Sequence, residues 1–560
     1  MKQNHPPRSG GQILVDQLRT HGVDTAFCVP GESYLAVLDA LYDARDAIKL
    51  VVCRQEGGAA YMADAYARLT GKPGICMVTR GPGATNAAIG VHTAFQDSTP
   101  LILLIGQVGS DFIEREAFQE MDYRRVFGQM AKWVAQIDRA DRIPEYMSHA
   151  FHVAMSGRPG PVVLALPEDM LVTRASVGDA EPFKTVESHP GAADLNALRT
   201  MLAESARPLV ILGGAIWDRA ACANVRRFLE ANQLPAGCAF RFQDLLDNRH
   251  PNYVGDIGIG INPKLAQRIS DADLLLVIGA RLGEMTTSAY TLLSVPRPAQ
   301  KLIHVHAGAE ELGRVYQGDL LINASMRPFA AALAAMAPVD PTCWREQTKV
   351  ARADFLAHIE PRGSPGALDL SACMQTLKAI LPEDAIIANG AGNFSGWIAR
   401  YYQYTGFRTQ LAPTNGSMGY GVPAAVAAKI TQPDRTVLAF AGDGDFLMNG
   451  QELATAMQYG AAVKFFVVNN GMYGTIRMHQ ERDYPARVSG TQLLNPDFAA
   501  LARAYGMHGE TVATTADFAP ALTRCLKHDG PTLMELRIDP EAITTGTTLK
   551  KIRAAALAKK

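Results

Sequence analysis

Short runs of consecutive apolar residues recur along the chain, with Ala-rich stretches between them. GICMVT (74–79), LILLI (101–105), PVVLAL (161–166), PLVIL (208–212), LLLVI (274–278), KLIHV (301–305), TVLAFA (436–441) and VKFFVV (463–468) each read as a strand. They are continuous rather than alternating, the pattern of strands buried on both faces in a parallel sheet covered by helices. Strand and helix patterns alternate from end to end, which predicts an α/β protein of doubly wound domains with parallel sheets. Two stretches break the rhythm, EPFKTVESHPGA (181–192) and HIEPRGSPGA (358–367). Both are rich in Pro, Gly, Ser and charge and neither is periodic, so they read as linkers. They set expected domains at 1–180, 190–345 and 365–545, followed by a basic segment, 546–560, that reads as a solvated tail or a terminal helix.

Composition narrows the picture by exclusion. A length of 560 residues suits three or four domains. Lys+Arg (54) nearly balances Asp+Glu (55), so there is no basic bias of the kind a nucleic-acid partner requires. The eight cysteines are scattered without a Cys-x-x-Cys pair, which fits a reducing cytoplasm and no structural zinc. The first residues, MKQNHPPRSGG, carry no apolar stretch, so no signal peptide is expected. No apolar run reaches the roughly 20 residues that span a bilayer, so no membrane partner is expected.

The most specific chemistry lies in TVLAFAGDGDFLMNGQELATAMQYGAAVKFFVVNNGMYG, 436–474. One buried strand ends in Gly442-Asp443-Gly444 and the next in Asn469-Asn470-Gly471. A strand, helix and strand of this length form a crossover between parallel strands, which brings both polar tips to the carboxyl edge of one sheet, where open α/β sheets bind ligands. Asp443 and the Asn470 side-chain carbonyl are hard oxygen donors, and glycines beside Asp443 let backbone approach a phosphate. Few protein ligands combined with phosphate oxygens is the usual way of holding Mg²⁺. Asn449 with Glu452 three residues on has the spacing of a capping box for the intervening helix. Near the other end, VVCRQEGGAAYMADAYARL (51–69) sets Glu56 before a string of small residues. Alone, Glu56 reads as an acid favoured at a helix N-terminus. In the central third, ILGGAIWDRA (211–220) reads as a strand-to-helix turn, without a Gly-x-Gly-x-x-Gly fingerprint.

The Gly-Asp-Gly and Asn-Asn pair resembles the diphosphate-Mg²⁺ motif of the thiamine-diphosphate-dependent enzymes. VTRGPGATNA (78–87), AFQE (117–120), SGRPGPV (156–162) and GSMGYGVPAA (416–425) extend that resemblance over nearly the whole chain, closest to the acetolactate (acetohydroxyacid) synthase-like branch. The resemblance implies a pyrimidine-binding domain, a central domain and a diphosphate-binding domain in the order of the three segments above. It also implies active sites between two protomers, hence a homodimer or homotetramer. Asp443, Asn470 and the Met472 carbonyl are implied as metal ligands, and Gly442, Gly444, Asp445 and Gly392-Asn393-Phe394 as diphosphate contacts. The Gly416 carbonyl would accept the cofactor's amino group, and Met418 would lie under the bend between its two rings. Glu56 becomes the acid that hydrogen-bonds the aminopyrimidine nitrogen, and the small residues after it read as clearance for that ring.

The implied reaction is decarboxylation of a 2-oxo acid such as pyruvate, with the remaining two-carbon unit joined to a second carbonyl. Phe118 and Gln119 are implied to face the reacting carbonyl. Simple decarboxylases of the superfamily tend to place histidines there, one variety an adjacent pair; this chain has no His-His pair, and Thr79 stands at one such position. Glu32 falls where pyruvate decarboxylase-like enzymes keep an acid, and reads either as a proton-transfer group or as a polar loop residue. Ile476 and His479 lie after the Asn-Asn, His479 where the synthases carry a tryptophan that selects the second substrate. Arg80 stands where a small residue is common, and Glu168 where the family usually has lysine. Arg80 suits a substrate carboxylate or a salt bridge within the protein. The segment RLGEMTT (281–287) departs from the flavin-contacting pattern, which puts FAD in doubt. A 2-oxo acid decarboxylase, a 2-hydroxyacyl-CoA lyase and a non-catalytic family member stand as alternatives to the carboligase.

Overall fold

A computed structural model describes residues 5–559. Three six-stranded sheets, each wholly parallel, follow one another along the chain. The first has the spatial order Lys49–Val52, Thr25–Cys28, Gly74–Val78, Leu101–Gln107, Pro161–Pro167, Trp133–Gln136. The second runs Tyr253–Ile257, Ala236–Ala239, Pro208–Leu212, Leu274–Ile278, Lys301–His306, Leu320–Asn323. The third runs Gln410–Leu411, Ile386–Asn389, Val437–Gly442, Lys464–Asn469, Thr532–Arg537, His508–Val512. A two-residue antiparallel pair, Arg8–Ser9 with Arg174–Ala175, lies apart from them. The expected α/β class and doubly wound parallel sheets are therefore what the chain adopts. Among the described residues no helix is long and apolar enough to cross a membrane.

The continuous apolar runs are buried on both faces as their composition dictates: every residue of Leu101–Gln107 and of Pro161–Pro167 is buried. Burying a Leu, Ile or Val side chain contributes ~1.5–3 kcal/mol relative to exposure, so these central strands anchor their sheets. By packing, the chain forms two compact units. One comprises the residues up to Val186 with Val422–Pro433 and Asn449–Ala461; the other comprises Glu187–Gly421, Asp434–Met448 and the residues from Ala462 onward.

In the first unit, helix Glu56–Thr70 packs against helix Gly81–Asp97 with almost no side chain between them. A Cβ on Gly90 would stand 2.3 Å from the Ala60 Cβ. In the second unit, buried amides tie the second sheet to the third. The Asp244 carboxylate accepts the Thr409 and Gln410 backbone N–H groups, and Asn248 Oδ1 accepts the Tyr404 N–H. Gly213 and Gly214 stand where strands Pro208–Leu212 and Leu274–Ile278 end side by side; a Cβ on Gly214 would lie 1.9 Å from the Gly279 carbonyl oxygen. That close approach is the structural reason for the Gly-Gly turn, and Asp218 then caps helix Arg219–Ala231. The basic C-terminal segment forms helix Leu549–Leu557, capped by Thr548.

Candidate functional site

The second unit carries the two polar strand tips. Strands Val437–Gly442 and Lys464–Asn469 are parallel neighbours with Gly442 opposite Val468, so Asp443 and Asn470 leave the sheet at the same edge. Asp443 opens the short helix Asp443–Phe446 and is 3% exposed. Its Oδ1 accepts the Gly444 N–H at 3.0 Å; its Oδ2 accepts the Gly471 N–H at 2.9 Å and the Asn495 side-chain amide at 2.7 Å. Burial pushes its carboxyl above the usual range, while these neutral donors pull the other way. Among the described residues no Lys, Arg or His pairs with it. A buried carboxylate held by N–H groups but lacking a cation is the electrostatic complement of a metal ion. Asn470 adds a second hard oxygen, since among the described residues its Oδ1 accepts only the Met472 N–H, at 3.2 Å. This donor set fits Mg²⁺ bound to a diphosphate.

Asn495 is the residue that sequence reasoning missed. Its amide bridges Asp443 Oδ2 and Asn469 Oδ1, at 2.7 and 3.0 Å. It arrives there because the stretch 491–493 folds back on 471–473, with Tyr473 N–H on the Thr491 carbonyl and Leu493 N–H on the Gly471 carbonyl. No periodicity or motif marks that return. The glycines flanking Asp443 have packing reasons of their own. A Cβ on Gly444 would lie 2.5 Å from the Tyr473 ring, and one on Gly442 would lie 3.2 Å from Phe394.

Asp445 is buried and pushed up to about 7, burial being the main cause. Its Oδ1 accepts the Gly419 N–H at 2.5 Å, and its carboxylate fills the space beside Gly390, whose Cβ would lie 2.1 Å from Oδ2. Asp445 thus fastens the Gly416–Gly419 turn to the turn that leads to Gly392. Gly416 is exposed with φ +69°, and Met418 is half-buried. The Asn393 side chain is engaged within the protein, donating to the Ile543 carbonyl and accepting from Thr475 Oγ1. Thr475, Ile476 and His479 lie on helix Gly474–Asp483, where Ile476 is 54% exposed and His479 is half-buried.

The first unit carries Glu56, Arg80, Gln119 and their neighbours. Glu56 is the first residue of helix Glu56–Thr70, immediately after the N-cap Gln55, whose side chain accepts the Gly58 N–H. Its carboxylate is half-buried and accepts the Asn86 side-chain amide at 2.9 Å. The small residues behind it have packing reasons within the protein. Gly57 clears the Gln55 side chain and helix Gly81–Asp97, Gly58 clears Glu452, and Ala60 meets Gly90. The expected capping box fails. Asn449 makes no side-chain cap to the short helix Gly450–Glu452 that follows it. The Glu452 carboxylate instead accepts the backbone N–H groups of Arg54 and Gln55, a long-range acceptor whose local spacing mimics a cap.

Arg80 and Glu168, the two charge departures noted in the sequence, meet: Nη2 of Arg80 lies 2.8 Å from the Glu168 carboxylate, and Glu32 is 3.8 Å from Nη1. The Thr79 hydroxyl is hydrogen-bonded to that of Ser33. Gln119 holds a left-handed backbone, φ +65°, accepts the Gly81 N–H on its carbonyl, and has a buried Oε1 without a partner among the described residues. Phe118 beside it is 73% exposed.

Three family descriptions match successive parts of the chain: the thiamine pyrophosphate enzyme N-terminal TPP binding domain over residues 8–126, the central domain over 195–333 and the C-terminal TPP binding domain over 390–536. The acetolactate synthase isozyme 2 large subunit of Escherichia coli (strain K12) is 33% identical over 95% of this chain and 96% of its own length. The acetolactate synthase large subunit of Parasynechococcus marenigrum (strain WH8102) is 32% identical over 95% of this chain and 87% of its own. That of Lactococcus lactis subsp. lactis (strain IL1403) is 31% identical over 95% and 93%. With its three parallel sheets, its paired Asp443 and Asn470 tips and these near full-length matches, the chain belongs to the thiamine pyrophosphate enzyme family, in the acetolactate synthase-like branch.

Proposed function

We infer that the protein is a thiamine-diphosphate- and Mg²⁺-dependent carboligase of acetolactate synthase type. It would decarboxylate pyruvate or a similar 2-oxo acid and join the remaining unit to a second carbonyl. The observation that carries this reading is the buried Asp443 carboxylate, which holds three N–H donors, has no cation among the described residues, and stands beside the Asn470 oxygen at a shared sheet edge.

Thiamine diphosphate, when bound, supplies a carbon acid that adds to the 2-oxo acid's carbonyl and accepts the electrons released with carbon dioxide. Asp443, Asn470 and the Met472 carbonyl would hold Mg²⁺ against the diphosphate, with backbone from Gly442 to Asp445 and from Gly392 to Phe394 close by. The Gly416 carbonyl and Met418 would orient the aminopyrimidine. Glu56 would hold a proton at the ring nitrogen, and the Asn86 amide fixes the direction in which that carboxylate points. Gln119 has a free buried oxygen to orient a reacting carbonyl, and exposed Phe118 is an apolar cover that excludes water once a second surface closes on it.

Carboligation is favoured over simple decarboxylation by what surrounds Arg80. Thr79 is bonded to Ser33 and Arg80 to Glu168, and no histidine stands in 29–33, 78–82 or 117–121 to deliver a proton to the reacting carbon. Glu32, close to Arg80, is the one acid there that favours the decarboxylase reading. A homodimer or homotetramer with active sites shared between copies, implied by the family resemblance, belongs to the same reading. Eight free cysteines fit a reducing cytoplasm.

Purified protein incubated with thiamine diphosphate, Mg²⁺ and a panel of 2-oxo acids, followed by NMR of the products, tests the reading. Acetolactate from pyruvate is expected. Carbon dioxide with free aldehyde would establish the decarboxylase, and no carbon dioxide from any acid would overturn both.

A further inference from the structure

The carboxylate of Glu452 is fully buried, at 0% exposure, yet it caps no backbone N–H of the helix that follows it, Leu453–Gln458. Its Oε1 accepts the Arg54 and Gln55 backbone N–H groups, both at 3.0 Å, and its Oε2 accepts the Thr455 hydroxyl at 2.6 Å. Arg54 and Gln55 are the last two residues before the helix that begins at Glu56. The carboxylate also lies against the first turn of that helix, for a Cβ on Gly58 would stand 2.7 Å from Oε1. Glycine at 58 therefore leaves the volume that Glu452 fills.

The contact extends beyond one side chain. Tyr459 Oη accepts the Val52 N–H at 2.7 Å and donates to the Leu50 carbonyl at 3.2 Å, and Gln458 Oε1 accepts from the Arg54 guanidinium. Residues 452–459 thereby close the open edge of strand Lys49–Val52 and continue into the turn that leads to Glu56. A buried carboxylate is costly unless fully hydrogen-bonded, and this one is. Its donors are the N–H groups whose placement fixes the entry of the chain into the helix. Glu56 is thereby held from three sides: its backbone by Glu452 before it and by the Gln55 cap on Gly58 after it, and its carboxylate by Asn86.

We propose that Glu452 is a positioning residue that holds the strand-to-helix turn presenting Glu56, and so sets the alignment of that acid toward the cofactor's ring nitrogen. The inference rests on the reading of Glu56 as the cofactor-activating acid. It assigns Glu452 no contact with substrate or cofactor. Glutamine at 452 keeps an acceptor oxygen for the two backbone N–H groups, whereas alanine leaves both without a partner.

The test uses the full chain with E452A, E452Q and E56Q, and reads quantities other than turnover. Amide hydrogen exchange of residues 54–58 in the cofactor-free protein should quicken by roughly tenfold or more in E452A, and less in E452Q. Exchange of the bound cofactor's thiazolium C2 proton with deuterium should slow by roughly tenfold or more in E452A, while its dissociation constant changes by less than about threefold and E452Q recovers part of the rate. Unchanged C2-proton exchange in E452A would overturn the proposal. So would a decline that merely follows lost cofactor affinity and melting temperature, or failure of both variants to fold, since each makes Glu452 a structural carboxylate only. Wild-type C2-proton exchange in E56Q would instead overturn the role of Glu56, a failure distinguished by its independence of residue 452.

Discussion

Glu481 offers the sharpest test of how the end of the chain is held. Its side chain is 1% exposed and sits between two arginines. Oε1 accepts from Arg477 at 2.8 Å and from Arg553 at 2.6 Å; Oε2 accepts from Arg553 Nε at 2.7 Å and from the Ala486 N–H at 3.0 Å. Arg553 belongs to helix Leu549–Leu557, which buries little apolar surface apart from Leu549, so this carboxylate is its main fastening to helix Gly474–Asp483. The Arg553 hydrogen bond, first among several causes, draws the Glu481 carboxyl from 4.5 to about 2. That displacement corresponds to a ceiling of about 3.4 kcal/mol. Ala486 and Arg477 supply part of it without the terminal helix, and solvent screens the share of Arg553, which is 36% exposed; about 1–2 kcal/mol is left to that helix. Because the folded value is depressed, the contribution is complete above about 4.5 and lost as pH falls through about 2.

In E481Q the terminal helix should open more often, by roughly 5- to 30-fold in its local equilibrium. Hydrogen exchange of amides 549–557 at neutral pH measures this directly, with the central strands as internal reference. Below about pH 4.5 the wild type should approach the variant, while the variant stays flat over the same interval. Unchanged protection of 549–557 in E481Q, or equal loss throughout the molecule, would refute the reasoning.

Three further outcomes are expected. E56Q should bind thiamine diphosphate yet lose turnover by roughly 10²–10⁴-fold, as measured by titration calorimetry and carbon dioxide release. D443N should weaken Mg²⁺ binding at least about tenfold, or about 1.4 kcal/mol, read from the Mg²⁺ concentration that half-saturates cofactor binding. G90A, which sets a Cβ 2.3 Å from that of Ala60, should destabilise the first unit by ~1–3 kcal/mol in urea melts despite the better helix propensity of alanine.

The sequence carried most of the fold because its central strands are buried on both faces and consist almost wholly of apolar residues. Strands that lack such a run were harder to read, among them the short Ile386–Asn389 and two of another kind. Lys49–Val52 is an edge strand with only Val51 fully buried, and Ala236–Ala239 contains no branched or aromatic side chain. The Gly-Asp-Gly and Asn-Asn tips were legible because chemistry and topology coincide within one crossover. Asn495 was hidden because it reaches Asp443 through an irregular loop. Glu452 was misread because an acid three residues after an asparagine has one spacing whether it caps a local helix or reaches a distant turn. Arg80 and Glu168 each looked anomalous alone, and only their 2.8 Å separation makes them one feature.

The bond between Glu452 and the turn before Glu56 also has a consequence for synthesis. Arg54 and its acceptor lie 398 residues apart in sequence. At the usual 5–20 residues per second of translation, roughly 20–80 s separate the emergence of the two partners. The first sheet can assemble from local strands during that interval, but the turn bearing Glu56 and the edge strand beside it lack their acceptors until residues 452–459 leave the ribosome. The part of the chain made first is therefore among the last to be completed, and a nascent chain halted before residue 452 would hold a folded sheet with its acid still unaligned.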